Sequence, residues 1–225
     1  MSPSRQGRAS RTAKAEPPRK QVLAAAIDCF ARHGYRGTSI DRIAREVGVT
    51  KGALYYHFRD KEDLLFAAVT ERVGEFQRKV VREVEPARDA FATLRQVIDT
   101  CFFHATVSNH RRFIITLMVE ALDTNPRLSD EFRGILRGMR GFLAHVVRRG
   151  QREGTMRPDV DPEAVAATIA GGIMGAEIQH YQDPDQIDLR RVLDTLVEQL
   201  ADWLATRRWR DAPPSPQTHG AKPAA

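Results

Sequence analysis

Apolar residues recur every three or four positions along most of the chain, and no run shows the strict alternation of a half-buried β-strand. The first such repeat spans about residues 19–33, and a second follows at about residues 38–48. The apolar positions of these two repeats are Leu23, Ala26, Ile27 and Phe30, then Ile40, Ile43, Ala44 and Val47. Each set covers one face of a helix, so the pattern predicts an all-α fold.

Small and polar residues mark where the first helices begin and end. Gly34 is expected to end the first helix, because glycine accepts the left-handed conformation common after a helix C-terminus. In the segment TSID, Thr38 is expected to cap the second helix, with Asp41 as the reciprocal acid of a capping box. Gly48 is expected to end that helix, and Asp60 is expected to cap the fourth.

The remaining repeats bring the prediction to about nine helices. A short third helix is expected from Thr50 to near Phe58, and a fourth from Asp60 to about Glu85. Segments that stop helices, such as TNPRLS and DPD, separate the later repeats. The later helices are expected at about Asp89–Val107, Arg111–Leu122, Ser129–Glu153, Pro162–Tyr181 and Leu189–Arg208.

Positive charge is concentrated at the N-terminal end of the chain. Residues 1–61 hold 13 Lys and Arg against 5 Asp and Glu, whereas the remainder holds 22 against 24. This asymmetry predicts that the first quarter of the chain binds a polyanion. Residues 1–18 are expected to be a flexible basic arm, and the Pro/Ala-rich residues 211–225 a disordered tail. Two folded domains are therefore predicted, at residues 19–66 and 67–210.

The composition does not favour a membrane, secreted or metal-binding protein. No apolar signal-peptide core follows the N-terminus, and the longest apolar run, Phe113–Val119, is far shorter than the about 20 residues that cross a bilayer. Cys29 and Cys101 lie in apolar helical patterns, so both are expected to be buried free thiols. We therefore expect a soluble cytoplasmic protein with no membrane partner and no metal.

The second and third helices have the spacing of a helix-turn-helix. Only Gly48 and Val49 separate them, and Ala44, Gly48 and Leu54 stand where that motif needs a small residue, a turn and an apolar anchor. At about 100° per residue, Leu54 and Phe58 share the face toward the core. The opposite face of the third helix is therefore predicted to face outward, and it carries Gly52, Tyr55 and Tyr56.

The leading end of the third helix has the chemistry of a DNA reader. Thr50 as the N-cap and Lys51 at the first helical position place a positive dipole end and a cation there. Gly52 has no side chain, so the helix can approach base edges closely in a major groove. Tyr55 and Tyr56 have hydroxyl groups that can donate to phosphate, and Lys61 is a further phosphate-binding candidate.

The segment GTSIDRIAREVGVTKGALYYHFRDKEDLL resembles the DNA-binding domain of TetR-family transcriptional repressors. The resemblance covers about residues 19–66, with no departure from the family pattern. It implies an all-α homodimer that binds a palindromic operator and is released when its C-terminal domain binds an effector. The matching positions are Gly37, Thr38, Ile43, Ala44, Gly48, Val49, Leu54, Tyr55, His57, Phe58, Lys61 and Leu64.

The resemblance also assigns roles to individual residues. Base contacts are implied for Thr50, Lys51 and Gly52. Contacts to the DNA backbone are implied for Thr38, Ser39, Tyr55, Tyr56, His57 and Lys61. No catalytic residue and no cofactor is implied.

The larger C-terminal domain is expected to hold a small, hydrophobic or amphipathic effector inside its helices. Aromatic residues and methionines would form adaptable walls, and polar residues within apolar stretches would orient the ligand. The candidate residues are Phe102, Phe103, Glu120, Phe142, His145, Met174 and Glu177. The last two long helices carry small residues and a leucine/tryptophan stripe, which are compatible with the homodimer interface that the resemblance implies.

Two other functions stay open from the sequence. The chain could be a DNA-binding regulator without a small-molecule effector, controlled by a protein partner or constitutive. An enzyme is disfavoured, because the chain has no nucleophile elbow, no cluster of metal ligands and no glycine-rich phosphate loop.

Overall fold

A computed structural model describes residues 19–84, 89–107 and 109–206 of the chain. The described residues form nine α-helices, and the fold is all-α as the sequence predicts. The only β-type pairing among them is an isolated bridge between Met156 and Ala205. The helices are α1 (Arg19–Gly37), α2 (Ile40–Val47), α3 (Lys51–His57), α4 (Lys61–Val84), α5 (Ala90–Val107), α6 (His110–Thr124), α7 (Pro126–Arg152), α8 (Pro162–Gln182) and α9 (Leu189–Leu204).

The chain divides into two compact units, Met1–Glu75 and Phe76–Ala225. The division falls within α4, so this helix contributes residues to both units. The arm predicted for residues 1–18 and the tail predicted for residues 211–225 lie outside the described residues. None of the described helices combines the length and the apolar character that crossing a bilayer requires.

The ends of the first two helices differ in detail from the sequence prediction. Gly34 has φ +70° and kinks α1, so the first helical segment ends there as the sequence predicts, and a short second segment continues to Gly37. Ser39, not Thr38, caps α2, because its side chain accepts a hydrogen bond from the backbone N–H of Arg42 at 3.2 Å. Asp41 therefore does not complete a capping box, and it pairs with Lys51 instead.

In the first unit α1 and α2 bury most of the apolar faces that the sequence predicts, and α4 also buries apolar side chains. Leu23 and Phe30 of α1, Ile43 of α2 and Leu64 of α4 are between 0% and 2% exposed. Cys29 is also fully buried as a free thiol, and burial, followed by its hydrogen bond to Glu46, raises its pKa to about 12. This thiol therefore stays protonated and packs as a small apolar side chain.

In the second unit one apolar core unites α5, α7, α8 and α9. Helix α8 packs against α5, α6, α7 and α9, and α5 likewise packs against four helices, so both are central to this unit. Ile169 and Ile173 of α8 are among the most deeply buried residues of the core. Glu177 continues the same buried face of α8, and it is completely buried. A carboxylate in this position needs a partner, because an unpaired buried charge is strongly destabilising.

Candidate nucleic-acid interface and effector site

The turn between α2 and α3 is built around Gly48. This residue lies in the left-handed region at φ 75°, where a side chain would be strained. Its backbone N–H donates to the carbonyl oxygens of Ala44 and Arg45, and the N–H of Val49 donates to Ala44 at 3.0 Å. On the other side of the turn, Thr50 Oγ1 accepts from the N–H of Ala53 at 3.2 Å and caps α3. The geometry is that of the predicted helix-turn-helix.

Helix α3 has one buried and one exposed face. Leu54 and Phe58 are 1% and 3% exposed, whereas Tyr55 and Tyr56 are 47% and 80% exposed. Gly52 lies on the exposed side, and a Cβ added there would meet only Thr50 Oγ1, at 3.8 Å. The division of the aromatic rings between core and surface that the sequence predicts is therefore confirmed, and the outer face of α3 is open to a binding partner.

Lys51 joins α3 to α2 through an exposed ion pair. Its Nζ lies 3.0 Å from Asp41 Oδ2, and about half of each side chain is exposed. The hydrogen bond to Asp41, and then the charge of that carboxylate, raise the pKa of Lys51. The ammonium group also lies 6.0 Å from the centre of the Tyr55 ring. The cation at the leading tip of α3 is thus held in place by a neighbouring carboxylate.

Two residues assigned to the DNA backbone also bind backbone groups within the first unit. The Thr38 side chain is 2% exposed, and its hydroxyl donates to the carbonyl oxygens of Gly34 at 2.8 Å and Cys29 at 3.1 Å. Lys61 Nζ donates to the carbonyl oxygens of Tyr35 at 3.0 Å and Thr38 at 3.1 Å. Both side chains bind carbonyl oxygens of α1 or of the residue just after it, and their contact with the DNA backbone stays a prediction.

The other predicted residues lie on the surface. Ser39 is exposed while its hydroxyl caps α2. His57 is exposed, and its ring packs edge-on against Tyr56 with 5.1 Å between the ring centres. The exposed side chains that α3 and its N-cap bring together are those of Thr50, Lys51, Tyr55, Tyr56 and His57, beside the open backbone of Gly52.

The buried hydroxyl of Thr38 gives a direct test of what positions the helix-turn-helix. Replacing Thr38 by valine keeps the shape and removes both hydrogen bonds, so we expect a loss of about 1–3 kcal/mol in the free energy of unfolding. Urea unfolding of the full chain measures this loss. Thr116→Val is the matched control, because the Thr116 hydroxyl donates to the carbonyl of Arg112 on an exposed helix face. An equal loss in both variants would contradict the role assigned to Thr38.

A buried ion pair between α6 and α8 is the main polar feature of the second unit. Arg111 Nε lies 3.0 and 3.1 Å from the two carboxylate oxygens of Glu177, and Arg111 Nη2 lies 2.9 Å from Oε2. The Glu177 side chain is completely buried, and that of Arg111 is 17% exposed. Burial raises the pKa of Glu177, and the guanidinium of Arg111 opposes that shift. The N–H groups on Nε and Nη2 thus satisfy an ionised carboxylate.

Aromatic and protonated groups surround this pair. The guanidinium of Arg111 lies 5.5 Å from the centre of the Phe76 ring, which is within the range of a cation–π contact. Burial raises the pKa of the Cys101 thiol to about 12, and burial also raises the pKa of Tyr181. The Cys101 and Tyr181 side chains therefore stay neutral. Of these four side chains, Arg111 and Glu177 are the charged ones.

The other candidate residues for the effector site differ in how deeply their side chains are buried. Phe102 and Phe142 are partly buried against the core, and the guanidinium of Arg190 lies 5.2 Å from the Phe102 ring centre. Met174 is half-buried, and Phe103 is 49% exposed. Glu120 and His145 are exposed. Glu177 thus stands apart as the buried charge among the seven predicted residues.

Arg111 was missed in the sequence. It lies in the first turn of α6, a position where an arginine is ordinarily solvated. The useful signal was Glu177, since a carboxylate in an apolar helical stretch requires a cation somewhere in the fold. Within the described residues, no group of three or more His, Cys, Asp or Glu side chains could hold a metal ion.

Two family models match most of the chain. The model described as bacterial regulatory proteins of the tetR family matches residues 22–68, and the model for the C-terminal domain of BetI-type transcriptional repressors matches residues 90–205. The first match contains the helix-turn-helix. The second contains both partners of the buried ion pair.

Known proteins and solved structures agree with these matches. The fatty acid metabolism regulator protein of Bacillus subtilis is 25% identical over 184 residues, which cover 82% of this chain and 94% of that protein. A transcriptional regulator from Saccharomonospora viridis, solved in complex with choline, has a TM-score of 0.74 at 23% identity and covers 84% of this chain and 98% of that one. FadR from Bacillus subtilis, solved in complex with stearoyl-CoA, has a TM-score of 0.71 at 23% identity, covering 82% and 98%. The chain therefore belongs to the TetR family of bacterial transcriptional regulators, with a C-terminal domain of the BetI type.

Proposed function

We propose that this regulator is a ligand-responsive repressor that binds a palindromic operator as a homodimer. Each subunit places α3 in a major groove, and an effector bound in the second unit releases the DNA. The observation that carries the DNA-binding part is the open outer face of α3, with Lys51 at its leading tip and Tyr55 and Tyr56 exposed behind it.

The residues of this face divide into two roles. Thr50, Lys51 and Gly52 are at the start of α3, where a recognition helix approaches base edges. Tyr55 and Tyr56 have exposed rings whose hydroxyls can donate to phosphate oxygens. Ser39 and His57 are exposed at the border of this face and complete the proposed contact to the DNA backbone.

The effector part rests on the second unit. Solved proteins of the same fold hold choline in one case and stearoyl-CoA in another, so this fold accommodates small molecules of different chemistry. In this chain the buried pair of Arg111 and Glu177 supplies a polar anchor in the unit that contains the apolar core of α5, α7, α8 and α9. Ligand sites in proteins combine apolar walls with a few such placed polar groups.

The dimer part rests on α8 and α9. Ile178, Val192 and Trp203 of these helices are 37–45% exposed. A Cβ added at Gly171 or Gly175 would meet no atom within 4 Å, so this part of α8 is open to a second helix. Small residues beside exposed apolar side chains are what close packing between helices of two subunits uses.

Footprinting of the purified protein on its own promoter region tests the proposal, with sedimentation velocity run on the same sample. We expect a protected palindrome whose half-sites are about one helical turn apart, ~34–36 Å, or a multiple of it, and a dimer in solution. Salt-sensitive protection without a defined site, or a monomer at the concentration that protects, would contradict it. Protection that no small molecule relieves would favour a regulator without an effector.

A further inference from the structure

The guanidinium of Arg111 occupies a place suited to an organic cation. It is held between a completely buried carboxylate, Glu177, and the face of an aromatic ring, Phe76, 5.5 Å away. These two features, an anion removed from water and a ring, are what proteins use to bind ammonium and guanidinium groups. The site is therefore built for a positive charge, and a side chain of the protein itself now fills it.

Exchange of cation for cation is the least costly way to open this site. An anionic ligand would have to draw Arg111 away and leave Glu177 buried without a counter-charge, which is strongly unfavourable. A cationic ligand keeps Glu177 paired. The displaced guanidinium starts from the first turn of α6 with 17% of its side chain already exposed, so it has a short path to water.

Hydrogen bonding further limits which cations can replace the guanidinium of Arg111. The two oxygens of Glu177 accept hydrogen bonds from two N–H groups of Arg111, on Nε and Nη2. A head group without N–H donors would leave buried acceptors unsatisfied, and each of these costs stability. The replacement therefore has to be a protonated amine or a guanidinium rather than a quaternary ammonium group.

A row of rings leads from the buried pair toward the surface. The His104 ring lies edge-on to Phe76 at 5.0 Å between ring centres, and Phe103 lies edge-on to His104 at 5.4 Å. Phe103 is 49% exposed, and Val107, one helical turn later on α5, is 63% exposed. This row is an aromatic path along which an alkyl tail can lie while its head group reaches Glu177.

We propose that the effector of this regulator is an amphipathic amine or guanidine whose charged head group replaces Arg111 between Glu177 and Phe76. Its tail lies along Phe76, His104 and Phe103. The inference rests on the proposed ligand-responsive function and names the ligand class. Binding of such a ligand breaks the ion pair by which Arg111 ties α6 to α8. The ligand also contacts Phe76 of α4, and α4 supplies residues of the DNA-binding unit as well, so this helix can carry the effect of binding to that unit.

Two probes of opposite charge and equal tail length test the ligand class. Dodecylammonium and dodecanoate are titrated, below their aggregation concentrations, into the full chain by isothermal calorimetry. We expect dodecylammonium to bind and dodecanoate not to bind. In Glu177→Gln we expect the affinity for dodecylammonium to fall by about 10- to 100-fold, the range of one charge-assisted hydrogen-bonded contact. Glu163→Gln is the matched control, because Glu163 is an exposed residue of the same helix that also pairs with an arginine, Arg148.

A second variant is expected to change the affinity for dodecylammonium in the opposite direction from Glu177→Gln. Arg111→Gln removes the competing cation, so we expect it to bind dodecylammonium more tightly than the wild type does and to melt at a higher temperature with the probe than without it. An anion-binding site predicts the reverse, because Arg111 would then be the anchor. Tighter binding of dodecanoate, or equal effects of Glu177→Gln and Glu163→Gln, would overturn the inference.

The footprint separates this inference from the function on which it rests. Release of the protected operator by dodecylammonium, and not by dodecanoate, supports both. Release by dodecanoate alone would leave the ligand-responsive repressor standing and overturn the cationic effector. Absence of any protected operator, with dodecylammonium still bound through Glu177, would overturn the proposed function and leave the ligand site standing.

Discussion

Arg111→Gln is expected to lower the free energy of unfolding by about 3–5 kcal/mol at neutral pH, the usual cost of leaving one partner of a buried ion pair behind. Glu177 is completely buried on α8, which packs against four other helices, so it cannot turn toward water when its partner is lost. Urea unfolding followed by circular dichroism measures the change. Arg148→Gln is the matched control, because it breaks the exposed pair with Glu163, and exposed pairs contribute less than about 1 kcal/mol.

The pH dependence of this variant identifies the cause of the loss. Burial raises the pKa of Glu177, and Arg111 opposes that shift in the wild type. Without Arg111 the folded state holds the Glu177 proton more tightly than the unfolded state does, so the variant gains stability as the pH falls below neutral. The slope is at most about 1.4 kcal/mol per pH unit for one group.

The double variant Arg111→Gln with Glu177→Gln serves as the reference for that pH series. It has no ionisable group at either position, so its difference from the single variant isolates the titration of Glu177. Cys101 and Tyr181 contribute nothing in this range, because burial raises the pKa of each and keeps both protonated. A single variant whose deficit stayed constant between pH 5 and pH 7 would show lost packing rather than a buried unpaired carboxylate.

The faces of α3 show what a sequence can predict about this fold. Leu54 and Phe58 are buried and Tyr55 and Tyr56 are exposed because helical periodicity alone decides which side of a short helix each residue occupies. The position of Gly48 was equally readable, since a tight turn between two helices requires a left-handed residue. Local rules were sufficient wherever the neighbours in space are also neighbours in sequence.

The roles of Thr38 and Lys61 show where such rules end. Thr38 and Ser39 are both good N-caps, and the choice between them is decided by the carbonyl oxygens of Gly34 and Cys29, which bind the Thr38 hydroxyl from inside the fold. Lys61 is drawn to the carbonyl oxygen of Tyr35, 26 residues earlier in the chain. The Thr38 hydroxyl binds carbonyl oxygens four and nine residues earlier and the Lys61 ammonium binds one 26 residues earlier, contacts that the assignment to a cap or a phosphate did not include.

The buried pair marks the same limit in the second unit. The apolar setting of Glu177 made it a candidate, but Arg111 stands 66 residues away and its first-turn position gives no sign of burial. Pairing a buried charge requires knowing which helices meet, and α6 and α8 meet only in the folded unit. For that reason the sequence predicted Glu177 as one member of the proposed polar anchor and did not predict its partner, Arg111.

Lys51→Ala is expected to weaken operator binding by roughly 10- to 100-fold per half-site, the range for losing one good contact to a base pair, with both half-sites affected in a dimer. Quantitative footprinting at several salt concentrations measures this loss. Lys20→Ala is the matched control: Lys20 is an exposed lysine of α1 that pairs with Glu75 at 2.8 Å, so the variant also removes one charge and one surface ion pair. An equal loss of affinity in both variants would show that Lys51 acts only through its positive charge and would contradict the base contact.

The partner of Lys51 makes the test sharper. In the free protein Asp41 holds the Lys51 ammonium at 3.0 Å, and the loss of Lys51 leaves that carboxylate exposed without its cation beside the proposed DNA surface. Its repulsion of phosphate adds to the lost contact. Adding Asp41→Ala to Lys51→Ala is therefore expected to restore part of the affinity for all DNA sequences but none of the preference for the operator, because the repulsion is removed and the base contact is still absent. Recovery of operator preference in the double variant would assign the reading of sequence to other residues of α3.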